Sequence, residues 1–254
     1  AQRQQPRLRD DSSRQAPSWS WPWQAFLPVL PEITAAEPDR RPARDHRCPL
    51  RSIPTARNMT VHLGSHQRSV KDDSEVHIAV EDICVHPVFL NGKSAGRTTD
   101  IAIIRLRQKV NFTETIRPVC LPENGQKVTS GSEIYVTGWG FTKDGVADAP
   151  SELHQLMIKA ISTEECLKDV YNQINGSVFC AFHDHGSVFG GDSGRPAVQK
   201  VNGRWTQLGI VSGEPHMCFG RHLPQVFTQV SSFVTKFVVP YVEHGICPRP
   251  GGTR

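Results

Sequence analysis

The chain has 254 residues, 37% of them hydrophobic, enough apolar material for one large all-β domain or two small ones. Its net charge of +4 is too mild for a dedicated nucleic-acid binder. The longest apolar stretch, Phe233 to Val242, is broken by Lys236 and Pro240 and falls far short of the roughly 20 residues of a spanning helix. Neither nucleic acid nor a membrane span is therefore expected.

Seven cysteines occur without close C-x-x-C pairs of metal type, and N-x-S/T sequons stand at Asn58, Asn111 and Asn175. Together they point to a secreted, extracellular glycoprotein with disulfide bonds. The odd count leaves at least one thiol free or linked to another chain. The polar start at Ala1 has no signal-peptide character, so the chain reads as already processed or incomplete.

In chain order, residues 1–18 carry Arg3, Arg7, Arg9 and Arg14 with almost no apolar content and read as a disordered tail, with order beginning at Trp19. Ser20 to Leu27 alternates bulky apolar residues and reads as a short edge strand, where Pro22 is tolerated. Ile33 to Ala36 reads as a second short buried piece. From Glu37 to Arg57 the composition shifts to six arginines and four prolines, the signature of a basic loop.

Strand patterns resume over Met59–Leu63 and Glu75–Val80, punctuated by Gly64. His66, His77 and His86 lie in or beside them without metal-ligand spacing and read as strand or surface histidines, so neither metal nor cofactor is expected. Asp100 directly precedes the β-branched run Ile101 to Leu106, as a turn residue or as a carboxylate held at a barrel mouth.

Strands follow over 134–140 and 154–160. Ser162 and Glu165 then form a capping box for a helix reaching about Tyr171. Further strands are read at 178–181, 205–212 and 226–230. Ser232 caps a terminal helix in which Phe233 and Phe237 share a face and which Pro240 ends. Many short strands with two short helices make an all-β barrel architecture. Within it, Gly190-Gly191-Asp192-Ser193-Gly194 supplies tight turns and clustered amides beside a hydroxyl, the local chemistry of a nucleophile with an oxyanion hole.

The ordered motifs DIAIIRL at 100–106, RPVCLP at 117–122, TGWG at 137–140, GDSGRP at 191–196, GIVS at 209–212 and PQVFTQV at 224–230 resemble the chymotrypsin/trypsin-like serine proteases. The resemblance covers roughly 19–240. It implies two six-stranded antiparallel β-barrels, the first incomplete, with a short helix near 163–171 and a C-terminal helix near 232–239.

The domain organisation expected is a protease domain over 19–243, with barrels over about 19–118 and 119–230 and the basic loop at 37–57. A C-terminal helix over 231–243 and a tail over 244–254 complete it. By resemblance Ser193 is the nucleophile, Asp100 the orienting carboxylate, Gly191 and Ser193 the oxyanion hole, and Cys166–Cys180 a disulfide. Cys120 matches a cysteine that tethers another chain, whereas Cys48, Cys84 and Cys247 have no assignable partner.

The family's catalytic histidine has no counterpart in register. Glu37 stands where it belongs, and a carboxylate of ordinary pKa near ~4.3 is a weak base with no second nitrogen for Asp100. A shifted alignment offers His46 instead. The family's buried Ile amino terminus falls at Asp10, which leaves Asp192 without an ammonium partner.

At the specificity pocket, Ser187 occupies the base, Gly213 replaces a Trp wall, and Glu214 and Gln225 replace glycines. Phe189 replaces the partner of Cys218, and Ile134 and Gln199 replace both halves of another disulfide. These departures lead to a protease homologue with catalysis mostly lost, binding a protein partner in an extracellular proteolytic cascade. The rival expectation is an active endopeptidase that cleaves peptides with Ser193, Asp100 and His46. A third reading is that residues 24–57 are not native coding sequence.

Overall fold

The computed structural model describes residues 14–18, 20–26, 59–90, 98–140, 150–169, 175–182, 193–213 and 224–249. It is mostly β, with strands β1 (Arg14–Gln15), β2 (Ala25–Phe26), β3 (Thr60–Leu63), β4 (Val76–Val85), β5 (Ala102–Leu106) and β6 (Glu133–Gly138). Strands β7 (His154–Ala160), β8 (Val178–Phe182), β9 (Pro196–Val201), β10 (Arg204–Gly213) and β11 (Gln225–Gln229) follow. Helices α1 (Pro87–Leu90) and α2 (Thr163–Asp169) interrupt them. The chain's last elements are a 3-10 turn (Val230–Ser232), a π segment (Val234–Val238) and α3 (Val239–His244).

The second half closes on itself. Its sheet runs β1-β7-β6-β9-β10-β11-β8, and β8 returns to pair with β7, so six of its strands make a barrel with β1 on the outside. Closure leaves no exposed edge within the ring. Alternation along the strands turns Ile134, Val136, Leu156, Ile158, Phe179, Ala181 and Phe227 inward. Phe179 and Phe227 stack with centroids 5.0 Å apart. A Cβ on Gly209 would lie 2.7 Å from the Phe179 ring, so only glycine fits there.

Ile134 is fully buried in this core, and Gln199 Nε2 donates to the Glu133 carbonyl at 2.9 Å. The two positions that by resemblance lack a disulfide are thus packed and hydrogen-bonded instead. In the first half, β2-β3-β4-β5 form a four-stranded antiparallel sheet among the described residues.

Order begins earlier than Trp19. Arg14 and Gln15 pair with Gln155 and His154, the Ala16 amide donates to Leu153 O at 2.8 Å, and Ala16 is buried. A two-residue strand has no pattern of its own to read, since its partner makes it a strand. Among the described residues, the expected edge strand over 20–27 is paired at Ala25–Phe26, because Trp21 to Gln24 turn sharply with a Gln24 N–H to Trp21 O bond of 2.9 Å. The turn packs Trp21 against Trp23, Tyr135 and Trp205, with centroids 5.0–5.7 Å away. Residues 1–13 and the 33–57 region lie outside the described residues.

The Ser162 hydroxyl accepts from the Glu165 N–H at 3.1 Å, capping α2 as its sequence implies. Pro240 does not end the terminal helix. It sits in the first turn of α3, where a missing N–H costs nothing, and the chain stays helical to His244. Gly245, at φ 67°, makes the stop: its N–H donates to Tyr241 O at 2.9 Å and the Ile246 N–H to Pro240 O at 3.2 Å.

Phe233, Phe237 and Tyr241 pack with Cys84 and Ile101. His86 meets both phenylalanine rings edge-on, and burial pushes its pKa down. Tyr241 donates to Asp82 at 2.7 Å, and burial, then that bond, push its pKa up to about 12. A Cys84–Cys247 disulfide, across 163 residues of chain, rivets the segment after α3 to β4, so 244–249 is not a loose tail.

Cys247→Ser is expected to lower the unfolding free energy in urea by about 2–4 kcal/mol, because a loop of 163 residues in the unfolded chain is no longer closed. Gly209→Ala is expected to cost about 1–3 kcal/mol by the same measurement, through overpacking against Phe179.

Candidate functional site

Asp100 ends the turn before β5 and is half-buried. Two donors from the second barrel hold it. Thr228 Oγ1 on β11 donates to its main-chain carbonyl at 2.8 Å, and Ser212 Oγ on β10 donates to Oδ2 at 2.8 Å.

Ser212 is free to do this because the β10–β11 register slips between Val211 and Gly213. A bulge takes one residue out of the ladder and re-aims its side chain. One oxygen of Asp100 is thereby fixed, and a carboxylate retains further lone pairs for another donor. Burial raises the Asp100 pKa, partly offset by the Ser212 hydrogen bond.

Ser193 lies on the exposed turn that enters β9. Gly194 takes φ 83°, a conformation open to glycine but strained for other residues. Its N–H donates to Val211 O at 2.8 Å, and the Val211 N–H returns a bond to Arg195 O at 2.9 Å. The turn is zipped to β10 at the residue before Ser212. Asp100 and Ser193 thus converge on the Val211–Ser212 dipeptide, one from each half of the fold.

Gly213 closes β10 opposite Val226, and Gln225 beside it is buried at 5% relative exposure. These two expected pocket residues therefore sit together at adjoining strand ends. Arg195 packs over Gly138, where a Cβ would fall 1.4 Å from its guanidinium, so the TGWG glycine makes room for a long side chain next to the Ser193 turn.

His46, Glu37, Gly191, Asp192, Ser187 and Glu214 lie outside the described residues. Cys166 and Cys180 form a disulfide, and Cys120 is exposed with a free thiol. Asn111 and Asn175 are exposed, and Asn58 lies outside the described residues. A cavity of about 510 Å³, lined by Ser74, Val76, Lys109, Asn111 and Ile116 among others, shares no residue with this site. Among the described residues no helix is long and apolar enough to cross a membrane.

Ser212 and Thr228 were missed as site residues. Their motifs were legible, but a bulge that turns a hydroxyl toward a distant carboxylate has no signature in spacing.

A family model described as Trypsin matches residues 48–237, which is most of the chain and includes both Asp100 and Ser193. The chain belongs to the trypsin family. The match starts downstream of Glu37 and His46. Among curated trypsin-family relatives, mouse vitamin K-dependent protein C is 32% identical over 201 residues, covering 75% of this chain and 42% of the relative. The rat protein of the same name is 30% identical over 200 residues with the same coverage. The horse counterpart is 29% identical over 147 residues, covering 56% of this chain and 92% of that sequence. The chain spans about two-fifths of the mouse and rat relatives it matches.

An acid whose pKa rises on folding favours the native state most below its unfolded value and loses that contribution as pH climbs through the raised value. Asp100→Asn, which keeps an acceptor for Ser212, is therefore expected to raise the thermal midpoint at pH 7. The gain should shrink as pH falls toward the ordinary carboxylate range. Ser212→Ala should act oppositely at pH 7, since it strips the charged group of a donor. Calorimetry across pH checks both.

Proposed function

We propose that this chain is a trypsin-family homologue in which the Asp100–Ser212–Ser193 arrangement is kept and catalysis is largely lost. It acts by binding a protein partner in an extracellular proteolytic cascade. The observation that carries this reading is Glu37 in the segment Thr34-Ala35-Ala36-Glu37-Pro38, at the place of the family's imidazole base. A carboxylate there takes a serine proton poorly and offers Asp100 no N–H to hold.

The burial of Gln225 at the strand end beside Gly213 supports it, because a side chain stands there where the family by resemblance has a glycine lining the pocket. An Asp at the activation terminus would likewise leave Asp192 without its partner and the amides of Gly191 and Ser193 without the loop that aims them. Disulfides at Cys84–Cys247 and Cys166–Cys180 and the exposed sequons at Asn111 and Asn175 support export to an oxidising compartment. The exposed Cys120 thiol is the candidate for a covalent link to another chain.

The intact clasp on Asp100 favours one rival, an active endopeptidase in which His46 is the base and Ser187 sets a preference for small or apolar side chains. A fluorophosphonate probe separates the two, since it reacts only with a serine that a base and an oxyanion hole activate. The full chain is expected to label no more than Ser193→Ala. Strong labelling that both Ser193→Ala and His46→Ala abolish would establish the rival and end the proposal.

A further inference from the structure

On β3 and β4, far in sequence from Ser193, the register sets His62 directly opposite His77. Glu75 lies two residues before His77, and alternation of side chains puts the pair on one face of the chain entering β4. The imidazoles stack nearly parallel, 11° apart in plane and 3.6 Å between centroids. His62 Nδ1 lies 3.1 Å from Glu75 Oε1, and His77 Nε2 contacts the same oxygen. The three ligand atoms lie within 4.8 Å of one another.

We propose that His62, Glu75 and His77 form a binding site for a divalent transition metal of the zinc class, which clamps the β3–β4 hairpin. Two imidazoles and one carboxylate are a donor set that zinc takes with a fourth position open. Calcium and magnesium prefer oxygen throughout, so the two imidazoles select against them.

The surroundings orient each donor. Thr60 Oγ1 lies 3.3 Å from His62 Nε2, so a proton on that nitrogen leaves Nδ1 to ligate. The Asp72 N–H donates to Glu75 Oε2 at 3.3 Å, which turns Oε1 toward the imidazoles. Side-chain exposures of 5% for Glu75, 17% for His62 and 38% for His77 leave the site anchored inside and open on one side for entry.

Zinc chloride titrated calorimetrically into chelator-treated full chain should bind at a single saturable site and raise the thermal midpoint. His77→Gln and His62→Gln should each weaken binding by about tenfold or more, while His244→Ala, an exposed histidine outside the cluster, should leave it unchanged. Cobalt in place of zinc should give the intense visible bands of four-coordinate geometry. His77 is exposed, so His77→Gln is expected to fold, and its metal-free circular dichroism and midpoint verify that independently of His62→Gln. No saturable binding, or binding by folded His77→Gln as tight as the parent's, overturns the proposal.

Discussion

The carboxylate and carbonyl of Asp100 form one junction at which the two halves of this fold hold each other. One hydroxyl from β10 and one from β11 reach across to it, so the end of the first sheet is held by donors of the second barrel. A buried charge is tolerable only when hydrogen-bonded, and Ser212 meets that condition by leaving the β-ladder. The same strand holds the Gly194 turn through Val211. A bulge of one residue thereby sets the relative position of a carboxylate and a serine that are far apart in sequence.

Two long-range ties keep that junction from opening. At one end, the strap from Arg14 to Phe26 runs across the second barrel and into the first sheet, with Trp21 Nε1 donating to Gln155 Oε1 at 2.9 Å and Thr137 Oγ1 to Gln24 Oε1 at 2.6 Å. At the other, the terminal helix lays Phe233, Phe237 and Tyr241 on the first sheet, and the Cys84–Cys247 bond locks it there. Each tie adds hydrogen bonds or a covalent link to apolar packing.

Retention of a fold and retention of its chemistry are separable in principle. The clasp on Asp100 is a stability problem solved locally by Ser212, whereas proton transfer from Ser193 needs a base of suitable pKa at a third position. A scaffold of this kind can lose the base and keep every contact that orders the barrel. The proposed metal cluster on β3 and β4 stands apart from that question, because it is built from residues other than those of the Asp100 junction.

Strands β6 and β7 were legible because a strand with one face outward writes its environment into alternate residues, and β8 because a short apolar run buried on both faces reads as a core strand. Strand β9 was not read, since Pro196 and the preceding glycines masked its start, and β1 was invisible because two residues carry no period. Pro240 misled for a different reason: a proline stops a helix only where its missing N–H was needed, and here it opens α3.

By itself the sequence determined the family, which depends on short local motifs whose residue types are the chemistry. Only the tertiary structure decided that Ser212 and Thr228 clasp Asp100, that Cys84 pairs with Cys247, and that His62 faces His77. Those depend on register, a bulge and chain closure, which arise when distant strands meet.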